Sequence, residues 1–263
     1  MRKRFIAGVV GAIGIVMTVL LGGSFASAST GPAVASPEQA GYAVTGGQFR
    51  DVHASVYLRN AATYSSELAG FGNSVQLWSS KYVIILGVSD STITAPYSPA
   101  LAVYDTATKT LHCSTAAATP CPGTPKNWTD GSVSYAHSQT VRESLYYNKA
   151  TGNVTATVVA ADGSASSASF DAGTVSFNQA RVGNETSAVG PWGLGGTFTP
   201  PASTTLWARW SNAGITTYRG GRYSLSGWFV ASRINMTGAG SVVQANASAL
   251  SNGGANFTTS LQP

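Results

Sequence analysis

Ten carboxylates in a chain of 263 residues are few enough to weigh one by one. Glu38 stands near the N-terminus, and Asp51, Glu67, Asp90, Asp105, Asp130, Glu143, Asp162 and Asp171 are spread along the middle. Glu185 is the only acid from residue 172 to the end. A lone carboxylate in so long an uncharged tract, SFNQARVGNETS, is either a loop residue or half of a catalytic pair. A general base of this kind needs a second group that polarises the bond under attack. Glu143 and Glu185 both fall on or near predicted strands, and two carboxylates about 5–5.5 Å apart would suit a retaining glycosidase. Nothing in their flanking residues marks them as a pair. Asp130 and Asp162 precede glycine and read as turn formers.

Other chemistries find little support. There is no G-x-S-x-G elbow for a serine nucleophile, no H-E-x-x-H, and no Asp-rich calcium loop. His53, His112 and His137 have no neighbouring motif and read as surface or loop residues. Cys113 and Cys121 have seven residues between them in CSTAAATPC. In an exported chain that spacing predicts a local disulfide, whereas zinc would need ligands beyond the adjacent His112. Neither a metal nor a cofactor is expected.

Aromatic side chains offer a binding chemistry instead of a catalytic one. Trp and Tyr faces stack on sugar rings, and Trp78, Trp192 and Trp210 are the candidates for contact with a bound chain. Trp207 and Trp210 are three apart, so on a strand they point to opposite faces and at least one belongs in the core.

These residues need a frame. Arg2, Lys3 and Arg4 precede the apolar run FIAGVVGAIGIVMTVLLGG, and Ala26 and Ala28 then give the small-x-small pattern of signal peptidase cleavage. The reading is a signal peptide over 1–28, a flexible lead-in over 29–40 and one domain over 41–263, acting as a secreted monomer with no membrane segment once cleaved. Of the formal net charge of +5, three charges lie in the signal, leaving two on the mature chain. The remaining basic residues are scattered, which excludes the phosphate-neutralising clusters of a nucleic-acid-binding protein.

From Gly41 onward, short runs rich in Val, Thr, Tyr and Phe alternate with Gly, Asn, Asp or Pro, the pattern of strands and turns. Two hairpins are marked, one turning at Lys149 to Asn153 and one at Asp162-Gly163. A dozen or more strands, no helical period and no fixed repeat predict an all-β, two-sheet antiparallel β-sandwich.

The run INMTGAGSVVQANASALSNGGANFTTSL (Ile234 to Leu261) resembles the closing strands of the eqolisins, the glutamic peptidases. GYAVTGGQFRDVHASVYL, FGNSVQLWSSKYVIILGVS and TVSFNQARVG are similar, more loosely, to their opening strands, central hairpin and Glu-bearing strand. The resemblance implies a lectin-like, concanavalin-type jelly roll whose concave face holds peptide. It also implies a cofactor-free acid peptidase, in which Glu activates water and a Gln amide stabilises the oxyanion. The chain departs from the pattern at both positions, carrying Ile85 where the family has Gln and Gly183 where it has Glu.

Strand geometry supplies a replacement. A two- or four-residue turn around Ser80-Lys81 would pair Trp78 with Val83 and set Gln76 opposite Ile85, with Cβ atoms roughly 4.5–5.5 Å apart. Glu185 lies two residues past Gly183 and shares its face if the strand continues that far, about 6.6–6.8 Å further on. The expectation is therefore either a peptidase whose pair has moved to Gln76 and Glu185, or a chain that has lost catalysis. The alternative from a different class is a non-catalytic lectin-like module that binds an extracellular polysaccharide or cell-surface component through concave-face aromatics.

Overall fold

Alternation in sequence becomes alternation in burial. In TVRESLYYN, residues 141, 143, 145 and 147 point inward and their neighbours outward, the pattern of a strand with one covered face. YVIILGVS is apolar as far as Val88 and has both faces buried from Tyr82 to Leu86, as a strand inside a layered structure must be. The computed structural model describes residues 33–36, 39–59, 71–89, 97–114, 121–129, 132–186, 203–227, 230–237 and 243–263. The signal expected at 1–28, and with it Glu38, Glu67, Asp90, Asp130, Trp192 and Trp228, lie outside the described residues.

Among the described residues, sixteen strands carry almost all the regular structure. The first seven are β1 (Val34–Ser36), β2 (Gln39–Thr45), β3 (Phe49–Tyr57), β4 (Phe71–Ser79), β5 (Tyr82–Ser89), β6 (Ser98–Asp105) and β7 (Leu111–Ser114). After a one-turn helix at Lys126–Thr129 come β8 (Thr140–Asn148), β9 (Asn153–Val159), β10 (Ala165–Asp171) and β11 (Phe177–Thr186). The last five are β12 (Thr205–Thr217), β13 (Arg222–Ser224), β14 (Val230–Thr237), β15 (Val243–Ala247) and β16 (Phe257–Leu261). Both marked hairpins form, with Asn148 paired to Asn153 and Val159 to Ala165. Part of the stretch read as a flexible lead-in is strand: β1 runs parallel to β14, and β2 begins at Gln39.

The all-β expectation holds, but the hydrogen bonding is one continuous ladder, not two separate sheets. Its order is β10-β9-β8-β3-β12-β16-β15-β14-β2-β11-β4-β5-β6-β7. A bridge between Phe177 and Phe49 joins β11 to β3, closing seven of these strands on themselves. The ring itself has no open edge, and the ladder ends instead at β10 and β7. Two wings extend from the ring, β8-β9-β10 from β3 and β4-β5-β6-β7 from β11. One apolar cluster spans both, including Val141, Leu145 and Val154 from one wing and Ile84, Leu86 and Leu101 from the other. Each such side chain contributes about 1.5–3 kcal/mol when fully buried.

Trp207 and Trp210 do point to opposite faces, and both faces are covered. Trp210 belongs to the main core, stacked on Phe257 at 5.7 Å. Trp207 sits in a smaller cluster with Ala40, Met236, Ala245 and Leu261. Trp210, expected as a ligand-contact residue, is thus a core residue only 2% exposed. Cys113 and Cys121 form the expected disulfide, anchoring the end of β7 in the core.

Candidate functional site

The β4-β5 hairpin has the register the sequence predicts. Its turn is Ser80-Lys81, and Trp78 pairs with Val83 and Gln76 with Ile85. Ser79 holds the turn, its Oγ accepting from the backbone N–H groups of Lys81 and Tyr82 and donating to the Tyr82 carbonyl. On the other side of β4 lies β11, which continues as strand to Thr186 and so carries Glu185 on the face of Arg181 and Gly183.

Three rows of side chains cross this face. The first contains Ala43, Arg181, Gln76 and Ile85; the third contains Gln39, Glu185 and Gly72. Between them runs Gly41, Gly183, Ser74 and Gly87, a row with almost no side chain. The outer rows are four residues apart along β4, roughly 13 Å of backbone. Because the middle row is nearly bare, Gln76 and Glu185 lean over it and meet. Gln76 Nε2 donates to Glu185 Oε2 at 2.6 Å.

The amide is fixed from both ends. Trp78 Nε1, which can only donate, gives a hydrogen bond to Gln76 Oε1 at 2.8 Å. That directs Nε2 towards Glu185, and its second hydrogen reaches Ser74 Oγ at 3.3 Å. Gln76 is 2% exposed, whereas Glu185 is half-buried. Arg181 covers one face of Trp78, with its guanidinium carbon 3.8 Å from the ring centroid, a close cation–π contact. Its Nη1 donates to Gln39 Oε1 at 3.0 Å. Gln39 is itself buried beside Glu185, and its Nε2 has no acceptor among the described residues.

The bare row explains why position 183 carries no acid. A Cβ on Gly183 would stand 2.3 Å from the Ala40 carbonyl oxygen and 2.8 Å from Gly41 Cα. No side chain fits there without separating β11 from β2. The next residue, Asn184, points into the core and is wholly buried. Its Nδ2 donates to Asn73 Oδ1 at 2.6 Å and to the Gly72 carbonyl at 3.4 Å. Its Oδ1 accepts from Trp210 Nε1 at 3.1 Å and from the Thr259 hydroxyl. This satisfied amide ties β11 to β4, β12 and β16 at the residue before Glu185.

Glu143 takes no part in the pair. It lies on the inward face of β8 between Val141 and Leu145, 0% exposed, and Oε1 accepts from the Val88 N–H at 3.1 Å. Oε2 has no partner among the described residues. Burial, reinforced by the charge of Glu185 and only partly offset by the Val88 N–H, raises its pKa well above the ordinary value. The same burial, with Glu143 nearby, pushes the Tyr135 hydroxyl up to about 12.

Of the sequence-predicted site residues, the structure brings Gln76, Glu185 and Trp78 together and removes Trp210 to the core. Arg181, Ser74 and Gln39 were missed. Arg181 and Ser74 each lie two residues from a position already singled out, so period-2 alternation could have found them. Gln39 depends on the pairing of β2 with β11, which no local pattern reveals.

The site thus combines a half-buried carboxylate with an anchored amide donor on an all-β frame. No protein-family model matches this sequence, and no curated protein does. Among solved structures, the native heptameric SAP-like pentraxin from Limulus polyphemus aligns with a TM-score of 0.25 at 9% identity. That alignment covers 59% of this chain and 70% of the other. Likeness at this level assigns no role to any residue here.

Proposed function

We propose that this is an exported, concanavalin-like β-sandwich protein that hydrolyses peptide bonds by glutamic-peptidase chemistry, with Gln76 and Glu185 in place of the altered pair. The observation that supports it is the 2.6 Å contact between the Gln76 amide and the Glu185 carboxylate. The basic-apolar N-terminus and the Cys113–Cys121 disulfide favour export. The substrate class is an extracellular polypeptide.

In this reading a water enters between the two groups. The Glu185 carboxylate takes a proton from the water as its oxygen attacks the peptide carbonyl carbon. Gln76 Nε2–H, held by the Trp78 clamp on Oε1, donates to the oxygen that gains negative charge. The C–N bond then breaks, and the proton on Glu185 passes to the departing amine. The products are a carboxylic acid and an amine, and no metal or cofactor participates. A carbohydrate-binding reading is less favoured, because Trp210 is core and Trp78 has one face under Arg181.

The test is hydrolysis of denatured protein by the purified mature chain at acid pH, between about 2 and 5, where carboxylate catalysis operates. Glu185→Gln and Gln76→Ala should each lower the rate by about 10²–10⁴-fold. Equal rates in all three proteins, or no hydrolysis by the unaltered chain, would remove the assignment.

A further inference from the structure

A second site lies on a different surface, where β8, β3, β12 and β13 run side by side. It is a pocket of about 580 Å³ whose lining includes Arg50, Asp51, His53, Arg142, Asn212 and Arg222. Asp51 and His53 are two apart on β3 and so share one face. His53 Nδ1 is 2.6 Å from Asp51 Oδ1, which also accepts from Thr216 Oγ1 at 3.1 Å. Gly214 stands opposite His53, and a Cβ there would come within 2.9 Å of His53 Nε2. The missing side chain gives the imidazole its place, with Nδ1 committed to Asp51 and Nε2 on the other side of the ring.

Two irregularities in the β3–β12 ladder shape this pocket. Thr216 pairs with Asp51 but Thr217 with Phe49, so Arg50 is an extra residue on β3. Ser211 pairs with Ser55 but Gly214 with His53, which places Asn212 and Ala213 against Ala54 alone. Asn212 there takes a left-handed φ of +50°, a conformation seldom adopted by residues other than glycine. Bulges re-aim side chains, and they concentrate beside functional sites. Here the bulged residues Arg50, Asn212 and Ala213 all line the same pocket.

The charge balance is uneven. Three arginines and one carboxylate line the pocket, and that carboxylate is already shared by His53 and Thr216. Among the described residues no Arg makes a salt bridge in this pocket. Planar guanidiniums bind tetrahedral oxyanions through paired N–H donors.

We infer that this pocket binds a phosphate- or sulfate-type oxyanion group, held by Arg50, Arg142 and Arg222, with His53 bridging the anion and Asp51. Its Nδ1 contacts Asp51 Oδ1 at 2.6 Å, which leaves Nε2 as the ring atom that meets the anion. The site shares no residue with the Gln76–Glu185 pair.

Calorimetric titration of the full mature chain with inorganic phosphate, and separately with sulfate, tests this at constant ionic strength against a chloride control. Saturable one-site binding of phosphate, sulfate or both is expected, and the two arms show which oxyanion is preferred. Arg142 and Arg222 are exposed, so the double variant R142Q/R222Q should keep its melting temperature while losing about tenfold or more in affinity. His53→Gln should weaken binding as well, and Glu185→Gln should leave it unchanged. Heats indistinguishable from chloride, undiminished affinity in R142Q/R222Q, or loss of binding in Glu185→Gln would each overturn the assignment. Because the readout is binding and not hydrolysis, it stands or falls independently of the peptidase reading.

Discussion

Glu185 and Glu143 belong to neighbouring regions of one molecule and meet opposite fates. Glu185 stands at the edge of a row stripped of side chains, half-buried, with an oriented amide donor 2.6 Å away. Glu143 stands in the interior between the wings, with one backbone N–H for a partner and one oxygen that meets no donor among the described residues. Where donors and solvent are withdrawn, burial favours the protonated form and raises the pKa, as at Glu143. The difference lies in what the neighbouring strands place around each acid, since both are glutamates on β-strands.

The comparison breaks most severely at the bare row. Gly183→Glu would restore an acid where the resemblance expects one, yet its Cβ would collide with the backbone of Ala40 and Gly41. A loss of more than about 4 kcal/mol, or failure to fold, is expected. Urea denaturation checks this, and a variant as stable as the parent would show that β2 and β11 can separate freely.

The next largest effect is expected at Asn184→Leu. The substitution leaves the Trp210 indole N–H, the Thr259 hydroxyl and the Asn73 side-chain Oδ1 without their shared partner. Buried groups so orphaned cost about 1–3 kcal/mol each, so the loss should reach about 3 kcal/mol or more. Activity should fall along with stability, because this amide fixes the strand that carries Glu185. A denaturation midpoint equal to the parent's would deny it that role.

The smallest effect has the opposite sign. The pKa of Glu143 in the folded protein lies above the ordinary value of 4.5. The folded chain therefore retains a proton that the unfolded chain releases as pH rises past that value. Stability from this group is fully present below about pH 4.5 and declines above it. Glu143→Gln keeps an acceptor for the Val88 N–H and has no charge to bury. It should raise the melting temperature at pH 7 by about 2–4 °C, corresponding to roughly 1 kcal/mol in a domain of this size. Near pH 3 it should change little. Melting curves at the two pH values decide, and destabilisation at pH 7 would mean that Glu143 is charged and usefully paired.

What the sequence disclosed follows the range of the interactions involved. The β4-β5 register was legible because a tight turn at Ser80-Lys81 sets it locally, and with it the placement of Gln76 against Ile85. The face of Glu185 was legible from strand alternation alone. The closed ring was not, because it depends on Phe177 meeting Phe49 across the whole chain. The approach of Gly41 to Gly183 was hidden for the same reason, and it leaves no room for a side chain at position 183. Trp210 looked like a contact residue because nothing local announces that Asn184 will receive its indole N–H. His53 read as an ordinary surface residue, although the D-V-H spacing already placed Asp51 beside it. The bulges that complete its pocket appear only once β3 and β12 are paired.

The most direct test of the central claim is a double-mutant cycle on Gln76 and Glu185, read as kcat/KM for a peptide substrate at acid pH. Groups that act as one catalytic unit give strongly non-additive losses. If they form a dyad, Gln76→Ala/Glu185→Gln should be no slower than Glu185→Gln alone, with both far below the unaltered chain. Losses that simply add, or variants as fast as the parent, would contradict it.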